Sequence, residues 1–131
     1  MQVRESNSPL SSMRDHRSLV AWQVARALVS QVMAITREHY HPRVSTIFSQ
    51  MQSASLSVQL NIAEGYARQS TRSFRHHLTI AYGSAVETAE LLDLCMAENI
   101  VPESVVEPAR QQCSRAQALI MGLRKRYCPK E

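Results

Sequence analysis

Between residues 74 and 95 the chain sets Phe74, Leu78, Ala81, Ala85, Thr88, Leu92 and Cys95 at strictly alternating steps of four and three residues. A strand alternates its side chains with period two and cannot gather these positions on one face. An α-helix lines them up along one buried stripe. Three other stretches keep the same rhythm: Trp22, Ala25, Val29, Val32 and Thr36; Ile47, Met51, Ala54, Val58 and Asn61/Ile62; and Val106, Ala109, Cys113, Ala116, Ile120, Leu123 and Tyr127. Each stripe needs a partner to bury it, so the chain must fold as helix on helix.

The punctuation between stripes predicts helices over about residues 15–40, 45–67, 70–99 and 102–127. His41-Pro42 closes the first, because proline disfavours a helical residue before it. A turn at Arg68-Gln69-Ser70 separates the second from the third, with Ser70 placed to cap the third. Pro102 suits the first position of the fourth helix. Pro108 suggests a start nearer Glu107 or a kink there. Short connections make consecutive helices antiparallel neighbours, and seams with a period near 3.5 residues give an all-α, up-down-up-down four-helix bundle. Pairing the second and third helices about residue 69 sets Ser57 opposite Ala81 and Ala54 opposite Ser84 and Ala85, a close approach of small residues. This 131-residue chain is expected to hold one domain over residues 15–128, preceded by a loose tail over residues 1–14.

Only three glycines and 5% aromatic residues are present, which favours aliphatic helix packing over a sandwich or barrel. Cys95, Cys113 and Cys128 are odd in number and form no CxxC pair, so neither a disulfide framework nor a zinc knuckle is expected. A reduced, cytoplasmic setting fits them. Residues 1–14 contain no apolar core of a signal peptide, and no stretch is apolar enough for a membrane span.

The run Asn61-Ile62-Ala63-Glu64-Gly65 with Arg68, followed by Phe74, Leu78, Ala81, Gly83-Ser84 and Glu87, resembles the signature of the 23S rRNA-intervening sequence proteins. Val20-Ala21-Trp22-Gln23-Val24-Ala25 is similar to that family's opening, so the resemblance covers about residues 18–127. It implies a four-helix bundle assembled as a homo-oligomeric ring, commonly a pentamer, without established catalytic activity, encoded in some bacteria within insertions of the large ribosomal RNA gene. A related branch, the accessory proteins of diversity-generating retroelements, implies basic pentamers that bind a reverse transcriptase and nucleic acid. Where family members often carry adjacent arginines in the middle of the second helix, this chain has Gln52-Ser53-Ala54.

Charge and leftover apolar residues supply the candidate sites. The chain carries +4 net charge, with thirteen arginines and two lysines. An up-down-up-down arrangement collects Arg14, Arg17, Arg68, Arg72, Arg75, His76, Arg124, Lys125 and Arg126 at one pole, facing mainly Asp15 and Glu64, and sends Glu90, Asp93, Glu98, Glu103 and Glu107 toward the other. Planar guanidinium forks suit phosphates, so RNA, DNA or a nucleic-acid-handling protein is the expected partner. Basic residues in the last turn of a helix also suit its dipole, which explains Arg124 to Arg126 but not Arg72 and Arg75. Off the seam, Leu56, Leu60, Ala63 and Ala67 on the second helix, with Ile80, Tyr82 and Leu94 on the third, form a second stripe that points to self-association.

Catalytic and metal chemistry find no matching pattern. The sole Glu-x-x-His, Glu38 to His41, runs into Pro42, whereas a di-iron bundle needs two such motifs. No nucleophile set or glycine-rich phosphate loop is present, so no cofactor and no enzyme activity are expected. Asn61, Glu64 and Glu87 read as structural: Glu64 precedes Arg68 by four residues, and Asn61 is expected to reach a buried bond near His77. Two alternatives remain: a structural oligomer that engages only proteins and binds no nucleic acid, and a helix-turn-helix regulator, since Ser70 to His77 superficially resembles the entry to a recognition helix, although Gly65 comes too early for that turn.

Overall fold

A computed structural model describes residues 15–127 and contains four long helices: α1 (Val20–Glu38), α2 (Ser45–Ala67), α3 (Thr71–Ala97) and α4 (Glu103–Arg126). Among the described residues there is no strand. The expected tail over residues 1–14 lies outside the described residues, as does Cys128.

The first helix starts later than its periodicity predicts. Asp15 accepts from the backbone N–H of Arg17 at 2.9 Å and caps a 3-10 turn, His16–Ser18, after which Leu19 is extended (φ −77°, ψ 126°). Its stripe is also rotated. Ala21, Val24, Ala25, Leu28, Val32, Ile35 and Thr36 are buried, whereas Trp22 and Val29 are only half-buried. Steps of three and four fit two overlapping faces of α1, and the aliphatic one won. The ring of Trp22 instead meets His16 edge-on at 5.2 Å, holding the 3-10 turn against the helix.

Pro42 opens a second 3-10 turn, Pro42–Val44, which His41 caps by accepting from the Arg43 N–H at 3.1 Å, and α2 follows directly at Ser45. Ser70 caps α3 as its position predicts, accepting from the Ser73 N–H at 3.2 Å. At the far end of α3, Asn99 takes a left-handed conformation (φ 58°). This turns the Ile100 N–H onto the Cys95 carbonyl at 2.8 Å and closes the helix in a Schellman-type cap. Pro102 is the N-cap of α4 rather than its first helical residue, and α4 begins at Glu103 and continues through the exposed Pro108. The N–H missing at Pro108 costs one bond near the start of the helix and does not stop it.

All seven seam positions of α3 are buried, as are those of α4 except Tyr127, which is half-buried. The buried residues form two clusters. One holds Val58, Ile62, Phe74, Leu78 and Ile120; the other holds Leu28, Val32, Met51, Leu92 and Cys113. Helix α1 packs on α2 and α4, and α3 packs on the same two, with the most extensive contact between α2 and α3. That contact is close, but not in the expected register. Ser57 Oγ lies 2.8 Å from Ser84 Oγ, an offset of nearly one turn from the expected pairing with Ala81.

Gly65 sets the separation further along. A Cβ built there would stand 2.6 Å from His77 Cβ, closer than real Cβ contacts allow, and 3.2 Å from Phe74 Cδ1, which is tight. Gly65→Ala is therefore expected to cost about 1–3 kcal/mol by overpacking. Gly83→Ala, where a Cβ meets nothing within 4 Å, should gain roughly 0.5–1 kcal/mol from helix propensity. Urea denaturation of the two variants measures both, and equal effects would exclude the steric account.

The two described thiols belong to this packing. Burial pushes the Cys113 thiol up to about 12, with Asp93 adding to the effect and Arg110 opposing it, and burial also raises Cys95. A thiol is reactive only as thiolate. In a Cys128→Ala background, native protein should leave both remaining thiols untouched by a disulfide reagent at mildly alkaline pH, and denatured protein should react at both.

Candidate nucleic-acid interface

The ends of the four helices meet in the arrangement that places the basic residues together. One cleft is lined jointly by the start of α1, by Tyr66 of α2 and by the last turns of α4, and an adjoining cavity adds the first turn of α3. Within this end the cations divide into two kinds. Arg75 donates through Nη1 to the main-chain carbonyl of Arg124, and Arg124 Nε donates to Thr79 Oγ1 at 2.7 Å. The last carbonyls of an α-helix have no partner within it, so Arg75 satisfies one of them and ties α3 to α4. Arg17 is paired with Asp15 and Arg68 with Glu64, both at 3.1 Å. These exposed pairs contribute little to stability.

Arg72, His76, Lys125 and Arg126 are exposed and have no ion pair among the described residues. Lys125 and Arg126 stand in the last turn of α4, where the helix dipole favours them. Arg72 stands in the first turn of α3, where the dipole opposes it, and no structural role accounts for it. Arg14 lies outside the described residues.

The opposite end is less acidic than expected. Glu98 and Glu103 are there, but the end of α1 and the turn before α2 bring Arg37, His39, His41 and Arg43 to the same place. Arg37 Nη2 lies 3.8 Å from Glu38, and Asp93 is paired with Arg110 at 2.8 Å. The charge contrast between the ends therefore rests on the larger number of cations at the first, not on a uniformly acidic second, where Arg43 is likewise exposed and in no ion pair among the described residues.

Of the signature residues, Glu64 meets Arg68 as its spacing predicts and also lies 3.9 Å from His77 Nε2. Asn61 does not reach toward His77. Its Nδ2 donates to the Ser57 carbonyl at 2.9 Å and to Ser57 Oγ at 3.0 Å, because Gly65 rather than Asn61 faces the imidazole. His77 Nδ1 donates to the Ser73 carbonyl at 2.9 Å. Ser84 pairs with Ser57, while Gly83 and Glu87 are exposed. The start of α3 buries Phe74 and His77, so the helix does not offer the free face that groove insertion by a helix-turn-helix requires.

The second apolar stripe is present in part. Leu56 (43% exposed), Leu60 (50%), Ile80 (40%) and Leu94 (40%) face outward, with Ala67 exposed and Ala63 half-buried. Tyr82 does not belong with them: it packs against the core cluster of Phe74 and Leu78. One signal in the sequence marks this face more sharply than its leucines do, since no charged side chain occurs between Ser45 and Ala63. Charge depletion distinguishes the centre of an interface from ordinary surface.

No helix of the described residues is long and apolar enough to cross a membrane, and no three His, Cys, Asp or Glu side chains among them gather where a metal ion could be held. No curated protein matches the chain. The model of the 23S rRNA-intervening sequence protein family matches residues 17–122, a span that takes in α1, α2, α3 and most of α4. With the NIAEG run of α2 serving the close approach to α3 and the matched region extending over most of the sequence, this chain belongs to the 23S rRNA-intervening sequence protein family.

Proposed function

We propose that this protein is a non-catalytic scaffold, an antiparallel up-down-up-down four-helix bundle that works as an assembly of copies and binds nucleic-acid phosphates through the end carrying Arg72, Lys125 and Arg126. Arg72 carries the reading: an exposed guanidinium in the first turn of a helix, against the dipole and without a carboxylate partner among the described residues, gains nothing for the fold. Antiparallel packing is supported by the contacts of α3 with α4, where Thr79 meets Arg124 and Asp93 meets Arg110, so numbers rise on one helix as they fall on the other. Assembly is supported by the uncharged outer face of α2, and five copies in a ring is the form the family resemblance implies. Two buried, protonated thiols suit a reducing cytoplasm.

Phosphate binding is tested by titrating RNA and DNA affinity with salt. Each phosphate contact contributes a slope of about 0.9 in log affinity against log salt on duplex DNA. Arg72→Ala/Arg126→Ala should lower that slope by about two and weaken all sequences alike. Arg75 is unsuitable for this test, because its removal unties α3 from α4. An unchanged slope in the double variant would remove the site.

The α2 face supports a second reading, an assembly that engages only proteins and for which the charge is incidental. It predicts no salt-dependent binding at all. Self-association itself is read by light scattering: wild type should have a mass that is a multiple of 14.8 kDa, and Leu56→Glu/Leu60→Glu the mass of one chain. A wild type of single-chain mass would sink the assembly.

A further inference from the structure

Beside Arg126 lies an open cleft of about 630 Å³, between the start of α1 and the last turns of α4. Ligand sites commonly occupy roughly 300–1,000 Å³. Its walls are Leu19, Ala21, Leu119 and two half-buried tyrosines, Tyr66 and Tyr127, and Arg126 stands in its lining. Both tyrosines are positioned by the buried Phe74, which meets Tyr66 at 5.6 Å and Tyr127 at 5.0 Å, each edge to face. Aromatic rings held in this way lose little freedom when another flat ring joins them. Ala118 and Gly122, one turn apart on α4, keep that wall low, and a Cβ on Gly122 would meet nothing within 4 Å.

Resting on the phosphate-binding reading above, we propose that this cleft receives an unpaired base of single-stranded nucleic acid, with the base against Tyr66 and Tyr127 and its backbone phosphates on Arg126 and its neighbouring cations. Apolar and aromatic walls beside guanidinium groups fit a flat ring attached to an anion. Bases in a duplex are stacked and paired, and cannot enter a cleft between helices. The protein should therefore prefer single strands, with little regard for sequence, since every base has a stacking face.

The test uses the full chain and three fluorescent probes: a short oligothymidylate, an abasic strand of equal length and charge, and a duplex. Wild type should bind the oligothymidylate about ten-fold more tightly than the abasic strand. Gly122→Leu fills the cleft from a position with open space around it, so it should bring the oligothymidylate down to the abasic level and leave abasic binding unchanged. Equal wild-type affinity for the two strands, with normal salt dependence, overturns the cleft assignment and leaves the phosphate site standing. Failure of every strand to bind overturns both. Unaltered oligothymidylate binding by Gly122→Leu overturns the assignment too. So does dissociation of an assembly in that variant, which would place a second copy in the cleft, or a fall in its melting temperature, which would place a segment of the chain itself there.

Discussion

The approach of α2 to α3 at Gly65 governs the rest of the structure. With no side chain at that position, the imidazole of His77 and the ring of Phe74 come directly onto the α2 backbone. Two turns back, Ser57 and Ser84 meet through their hydroxyls, so the same narrow separation continues along the pair. Small residues make this possible, and they also make it necessary: at a wider spacing Ala54, Ala81 and Ala85 would have no atoms across from them, and dispersion contacts fall away within an ångström of extra gap. Packing fixes Phe74, and Phe74 in turn fixes Tyr66 and Tyr127. The cleft at the basic end thus inherits its shape from a glycine on its far side.

Rigid helix ends also decide which cations are available. Arg75 and Arg124 close the gap between α3 and α4 through a main-chain carbonyl and the Thr79 hydroxyl, which commits both guanidinium groups to one geometry. Arg68 shares a carboxylate that also lies near His77. What is left over, Arg72, Lys125 and Arg126 with His76, is a small set on two helices whose ends the Arg75 tie joins.

Much of this was legible in the sequence, for definable reasons. The α3 seam was read without error because one continuous alternation of three and four admits a single face, and α2 has the predicted bounds because a proline turn precedes it and Arg68–Ser70 follows it. In α1 the same alternation fitted two faces, and Trp22 drew the stripe toward itself. Its start was hidden too, since the Asp15 cap and the extended Leu19 break a periodicity that continues across them. Asn61 was assigned to His77 from its seam position, but a glycine four residues on takes the place opposite the imidazole. The division into committed and unpaired cations is not legible in the sequence, because Arg75 finds its partner in the backbone of another helix and no pattern of residue types records that.

The small number of unpaired cations at this end bears on why the proposed assembly and the proposed phosphate binding belong together. The three unpaired arginine and lysine side chains at this end, each releasing about one counterion, would give a single copy a shallow salt dependence and an affinity that cellular salt would largely erase. In the assembly proposed above, an uncharged α2 face joining copies would change this without adding any contact to the nucleic acid. Once one copy holds a strand, the next meets the following segment at a high effective concentration, and the separate weak contacts combine as avidity. In the proposed assembly Gln52-Ser53-Ala54, where the family resemblance implies arginines, fits a division of labour: the middle of α2 would be kept free of charge for the neighbouring copy, and phosphate contacts would be left to the helix ends.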